Sequence, residues 1–457
     1  MEAHQANDIS YNMAEISEGE HSEVEQVEQP CGDVVISIKT MMEQLPPTNL
    51  ECSIHRVPKL LRKMNYSAYT PQVVSVGPFH HRRRKDLIAT EQYKLRRCVD
   101  FLNRLDNKMN SLEFLVKTTQ SWVKEARNYY AEPVNMSDED FHKMMLVDGC
   151  FIVEFLIQHY DSNVSSQTKN NLDLSFHQRY HEIYTDLVML ENQVPFFVLQ
   201  RLFHLIPQNK ITIPFLTLTH EFLLPRLIAN YSLFDSSLTK PKHFVDFLSF
   251  YFVVDNKILK DNKNNRCQRT PPSITELYEA GVTIKKAKEA KNTMDINFKN
   301  GILTIPPLVI DDFFEPIMRN LIAFEHFPLG NKSKCIQYIA FMDDLISTEK
   351  DVSLLVQAEI IINDIGGSNK EVSKLFNNLC KFVEERCDDK FNEISKALRD
   401  HCNKRWNKAK ASLKHNYFNT PWAAISFIAA NLLIILTLLQ TMFSAMSAFP
   451  KNPKNSI

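Results

Sequence analysis

Apolar positions along this chain recur mostly with the helical period, and in one place they stop recurring because every position is uncharged. Asp33 to Leu45 carries Val34, Val35, Ile38, Met41, Met42 and Leu45 on one stripe, ended by Pro46 and Pro47. Asp86 to Leu105 and Ser111 to Tyr130 read as two longer helices, and Ser137 with Asp140 reads as a capping box for the helix through MMLVDGCFIVEFLIQHY. After a polar loop over Asp161 to Asn171, a helix is predicted for Phe176 to Leu190. LENQVPFFVLQRLF then breaks and restarts it, with Pro195 at a first helical position.

Period two appears once. MDINF and ILTIP alternate around Asn300 and Gly301, a pair that accepts positive φ at both central turn positions, and Val282 with Ile284 predicts a third strand. Beyond it Ser333, Asp351 and Ser368 read as N-caps, Ser368 and Glu371 as a capping box, and Ile365-Gly366-Gly367 as a helix stop. A last soluble helix is expected over Asp388 to Lys414. The fold class is therefore mainly α: a multi-helix globular domain, a small antiparallel β-hairpin or three-stranded element, and one C-terminal transmembrane helix.

That final helix spans the uncharged stretch from Trp422 to Phe449. Eleven Leu, Ile and Phe residues between Ala423 and Phe443, at about −0.5 kcal/mol each, favour insertion by roughly 5 kcal/mol, more than Asn431 and Gln440 cost. Lys404, Arg405, Lys408, Lys410 and Lys414 precede the span and Lys451 and Lys454 follow it, which places the N-terminal body on the cytosolic side. The few residues after the span suggest a tail anchor, in a plasma or endoplasmic reticulum membrane. Within the helix, Ser426 and Ala430 form a small-xxx-small pair beside Asn431, the expected seam for self-association.

Composition narrows the classes further. Nine cysteines without a CxxC pair suit reduced thiols. Nine glycines in 457 residues leave little for phosphate-cradling loops. P-loop, GxSxG and kinase patterns are missing, so no cofactor is expected. A net charge of −1 gives no pull toward nucleic acid, and none is expected as a partner. Residues 1–32 form an acidic segment read as disordered, residues 33–415 the helical domain with an internal linker near 255–273, residues 421–449 the span and residues 450–457 a tail.

Several blocks in order, RVPKLLRKMNYSAYTPQVVSVGPFHH, MLVDGCFIVEFL, DLVMLENQVPFFVLQRLF, GILTIPPLVIDDFFEPIMRNLIAFEH and YFNTPWAAISFIAANLLIILTLLQ, make a pattern that resembles the plant domain-of-unknown-function 247 family from about Val34 to Phe443. The resemblance implies a plant, membrane-associated, mostly helical protein without an assigned activity, some grass relatives being linked to pollen and stigma self-recognition. Two departures stand out: Arg82 follows the paired histidines where relatives often carry Gly, and Ala358-Glu359 precede the IIxN run where a Gly is common.

Candidate chemistry is sparse. His80, His81, Arg82, Arg83, Arg84 and Lys85 form a basic run suited to phosphate or carboxylate, with a solvated loop as the plainer reading. His177 and His181 have metal spacing, but Gln178 stands where a metalloprotease needs Glu, so no metal is expected. Asp148, Glu154 and Glu191 lie in apolar surroundings, where a carboxyl either becomes a general acid or pairs with an arginine such as Arg201 or Arg319. The expected function is a membrane-anchored, non-catalytic recognition or scaffold protein with protein partners. The alternative is a hydrolase or transferase using buried carboxylates on a small or membrane-derived substrate.

Overall fold

The computed structural model describes residues 29–43, 52–82, 87–106, 112–164, 179–223, 240–252, 270–288, 290, 292–327, 334–383, 389–404 and 421–448. The chain divides into residues 1–49 and residues 50–457. In the first unit the described element is helix α1, Gln29–Glu43, which starts four residues before the predicted Asp33. The linker 255–273 falls outside the described residues except for its last four, and the polar loop 161–171 except for its first four.

Helix α6, Asp138–Val164, is the hub of the second unit. Its middle, residues 148–157, is buried on every face, and its residues are apolar apart from Asp148 and Glu154. The helices before it are α2 (Lys59–Met64), α3 (Ile88–Arg104), α4 (Leu112–Gln120) and α5 (Val123–Arg127). Those after it are α7 (Tyr180–Leu187), α8 (Phe196–His204), α9 (Phe215–Leu223), α10 (Phe244–Ser249) and α11 (Ile274–Glu279). Helices α3, α8 and α9 pack directly on α6. Aromatic rings fill the seams: Phe155 meets Phe222 edge-on at 5.7 Å, and Phe196 meets Phe215 at 5.2 Å. At Gly149 a Cβ would come within 2.5 Å of Leu202, so the missing side chain lets α6 and α8 approach.

Start signals held where their side chains had backbone to cap. Ser137 Oγ accepts the Asp140 N–H and donates to the Asp140 carboxylate, a variant of the predicted box. The predicted single helix over Ser111 to Tyr130 is instead α4 and α5. Thr118 and Thr119 turn their hydroxyls back onto the carbonyls of Phe114 and Leu115, and Trp122 N–H bonds to Thr119, which tightens and ends the helix there. Pro195 occupies the N-cap of α8, one position before the expected one.

The predicted hairpin is present. Strands β2 (Asn297–Lys299) and β3 (Ile302–Ile305) pair antiparallel across Asn300 and Gly301, whose φ values are 53° and 76°. The third strand, β1 (Thr283–Lys286), pairs parallel to β3, giving the order β1-β3-β2. A second sheet of two short parallel strands, β4 (Leu308–Ile310) and β5 (Ile361–Asn363), was not foreseen. It forms because the helices between them, α12 (Phe314–Glu325), α13 (Lys334–Leu345) and α14 (Glu349–Gln357), return the chain beside its starting point.

Three stop and start signals need correction. The N-cap of α14 is Thr348, with Asp351 at the third helical position bonding back to the Thr348 N–H at 2.8 Å. Ile365-Gly366-Gly367 follows a strand, and its glycines turn the chain into α15 (Asn369–Leu379). Ser368 is the N-cap of α15 but makes no side-chain cap; the Glu371 carboxylate lies over Gly367 instead. Ser333 lies outside the described residues. The unit closes with α16 (Asp389–Asn403) and α17 (Pro421–Ala448). Within α17, Ile425–Ala445 is long and apolar enough to cross a membrane, and none of it is buried among the described residues.

Candidate functional site

Residues 52–82 hold helix α2 and a 3-10 turn over Ser67–Tyr69 and are otherwise irregular and mostly buried or half-buried; among the described residues one bridge, Ile54 to Tyr130, is their one strand-type pairing. Buried backbone without a ladder still needs partners. Here they are side chains, and most belong to the DLVMLENQ block. Asp186 Oδ1 accepts the Gln72 N–H at 2.8 Å, and Oδ2 accepts Val73 and Val74 at 2.7 and 2.8 Å. Asn192 accepts from Val76 and donates to the Val74 carbonyl. Glu191 accepts the Val57 N–H at 2.6 Å, and Asp148 accepts Gly77 at 2.9 Å. Asn320 on α12 links the two sides, accepting from Leu190 and donating to the Ala68 carbonyl.

Gly77 is the point of closest approach. Its φ is 69°, and a Cβ there would lie 2.3 Å from the Gln193 carbonyl oxygen. Only glycine fits.

The three carboxylates singled out in the sequence are all buried, and each has its own cation, though not Arg201 or Arg319. Those two pair with Glu125 and Glu315. Asp148 pairs with Lys94 at 2.7 Å, and the Lys94 ammonium also reaches Glu91 and the Ser75 carbonyl. Burial disfavours the Lys94 charge, but Asp148 and Glu91 together hold its pKa above the ordinary lysine value. Glu154 takes both arms of Arg104, at 2.7 and 3.0 Å, and the Gln158 amide. Burial raises the Glu154 pKa against those bonds. Lys94 and Arg104 both come from α3, which nothing in the spacing of Asp148 and Glu154 indicated.

Glu191 stands apart because its surroundings reach the surface. Arg62 bonds to it, Arg56 approaches to 3.7 Å and His80 Nε2 to 3.4 Å. Burial pushes its pKa up, but His80, Arg62 and the Val57 N–H pull it below the usual glutamate value. Arg56 in turn stacks over Phe79 at 4.3 Å and bonds Glu132 at 2.7 Å. The basic run is therefore not a uniform outward patch. His80 and His81 turn inward, and burial lowers the His81 pKa. Arg82 is exposed with φ 52°, and Arg83, Arg84 and Lys85 lie outside the described residues.

His177 also lies outside them. His181 stacks on Phe313 at 5.2 Å. Among the described residues no three His, Cys, Asp or Glu side chains group as metal ligands. On α17, Ser426, Ala430 and Asn431 are exposed, and the Asn431 amide donates to the Phe427 carbonyl one turn back at 2.8 Å.

Fold and site together define a helical body organised around a buried polar-bound segment, followed by an apolar helix of membrane-spanning length. The chain belongs to the DUF247 family, described as plant protein of unknown function, whose model matches residues 54–436. It is similar to the UPF0481 protein At3g47200 of Arabidopsis thaliana, 29% identical over 421 residues covering 87% of both chains. It is also similar to the putative UPF0481 protein At3g02645 of the same plant, 22% identical over 509 residues covering 90% of this chain and 94% of that one. No solved structure matches it significantly.

Proposed function

We propose that this chain is a membrane-anchored recognition or scaffold protein that works without catalysis, holding its helical body on the cytosolic side and binding other proteins. The observation that carries this reading is how the polar side chains inside the body are used. Asp148, Glu154, Asp186, Glu191 and Asn192 are all bound to backbone, lysine or arginine of the chain itself. An active site needs titratable groups converging on a cavity with capacity left for a substrate. The hydrolase or transferase reading would have to rest on Glu191 and His80, whose carboxylate is held by two arginines.

The anchor is α17, and the basic residues Lys404, Arg405, Lys408, Lys410 and Lys414 before it support a cytosolic body. Proximity labelling from the intact chain, compared with the chain ending at Asn419, tests the reading. Shared labelled proteins are expected, because the body selects them. No shared protein, or protection of the body from protease in sealed vesicles, overturns it.

A further inference from the structure

Strand β1 is an outer strand of its sheet. Thr283 and Ala287 donate their N–H groups to Gly301 and Ile305 at 2.9 Å, so by alternation Ile284 and Lys286 direct theirs away from β3. Among the described residues nothing bonds to those outward groups. Beside them lies an open cleft of about 420 Å³, walled by Tyr278, Glu279, Gly281, Ile284, Leu354 and Gln357, with the Glu279 carboxylate paired to Lys350 at 3.3 Å. Tyr278 is 46% exposed at its rim. An unfilled edge, about 13 Å long for four residues, thus borders a half-apolar trough.

Charge decides what fits. Thr283 and Lys285 face solvent, Ile284 and Lys286 are half-buried, and Lys288 continues the exposed basic run. Lys286 has Glu359 at 3.7 Å; Lys285 and Lys288 have no acidic partner among the described residues. Lysines on an edge repel a second copy of the same edge, the usual protection against self-pairing. They do not repel an acidic strand.

We propose that the β1 edge and its cleft form a docking site for an extended peptide of a partner protein, alternating acidic and apolar residues, which adds to the sheet as a fourth strand. Backbone bonds to Ile284 and Lys286 supply the affinity. Acidic side chains lie beside Lys285, and apolar ones beside Ile284 enter the trough toward Tyr278 and Leu354. This rests on the recognition reading and names the chemistry of one partner.

The test uses the full chain in detergent micelles and fluorescein-labelled peptides of alternating Glu and Val, read by fluorescence anisotropy. A peptide of alternating Lys and Val is the control, with two further Glu-Val peptides N-methylated at alternate residues in opposite phases. The Glu-Val peptide is expected to bind at least about tenfold tighter than the Lys-Val one, and one N-methylated phase to bind while the other does not. Ile284→Pro, which removes only an outward N–H from the backbone, is expected to weaken binding by about tenfold or more. Lys285→Glu with Lys288→Glu, both on the surface, is expected to exchange the charge preference. Two N-methylated peptides that behave alike, variants that bind as the parent does, or no binding at millimolar peptide overturn the proposal. Absence of peptide binding alongside successful body-dependent proximity labelling removes only this site, whereas peptide binding without shared labelled proteins removes the scaffold reading.

Discussion

Lys94 Nζ lies 2.7 Å from Asp148 Oδ1, and solvent reaches the lysine side chain not at all and the aspartate by only 2%. Removing the aspartate leaves the buried ammonium with Glu91, a third exposed to solvent, as its remaining carboxylate partner. Asp148→Asn is expected to cost about 3–5 kcal/mol in urea denaturation. Adding Lys94→Met to that background should recover part of the loss, because it removes a buried ammonium that keeps only its pair with Glu91. A change below about 1 kcal/mol for Asp148→Asn would mean that the pair does not hold the segment at Gly77.

Asp186 serves three backbone donors, and burial pushes its pKa up to about 7 even so. Asp186→Ala leaves Gln72, Val73 and Val74 without acceptors, at about 1–3 kcal/mol each before relaxation. The expected result is a loss of at least about 3 kcal/mol together with faster amide hydrogen exchange at residues 72–76. Normal protection there would show that the block does not organise the segment.

Arg82 and Glu359 hold φ values of 52° and 54°, in the left-handed region that only glycine enters without strain. Arg82→Gly is expected to stabilise by about 0.5–1 kcal/mol, and Glu359→Gly by a similar amount. With no partner shared between them, the two gains should add in thermal melts.

His243 caps α10 as neutral imidazole: Nδ1 accepts the Asp246 N–H, and Nε2, so assigned by its neighbours, donates to the Ser53 carbonyl, both at 3.2 Å. Burial lowers its pKa to about 3. The unfolded chain therefore takes up a proton near pH 6.5 that the folded chain refuses, so this contribution is complete above pH 6.5 and falls as pH drops toward 3. Asp246, raised to about 6 by burial, works in the opposite sense, its contribution being present at low pH and lost as pH rises through 6. The comparison is thus between the parent and His243→Asn, which keeps a capping oxygen. The parent's advantage should shrink by about 1.4 kcal/mol per pH unit below 6.5. An advantage constant from pH 7.5 to 5 would show the imidazole to be charged in the fold.

The Asn431 amide is satisfied within its own helix. Asn431→Leu is therefore expected to leave the dimer fraction in membrane crosslinking unchanged, and a clear fall would show an interhelical bond at this residue.

Periodicity carried most of the helices because burying one stripe requires apolar residues at fixed spacing, and it carried the hairpin because Asn300-Gly301 accepts a conformation other pairs resist. It did not carry β4 and β5, three residues each, whose pairing depends on three intervening helices. Nor could it foresee the break at Trp122, where hydroxyls compete for carbonyls, or the helix end at Ala358 and Glu359, where a non-glycine accepts positive φ.

The site divided along the same line. That Asp148, Glu154 and Glu191 lie in apolar surroundings was legible from their neighbours; that Lys94, Arg104 and Arg62 complete them was not, since the partners lie 50 or more residues away. The chain alone determined a helical body and an apolar helix of membrane-spanning length, because both follow from local side-chain transfer and spacing. Only the tertiary structure decided that the buried polar residues hold residues 52–82 in place and that, among the described residues, β1 keeps an open edge. Hydrogen bonds between distant segments are set by where the packed helices bring them, and no local pattern encodes that meeting.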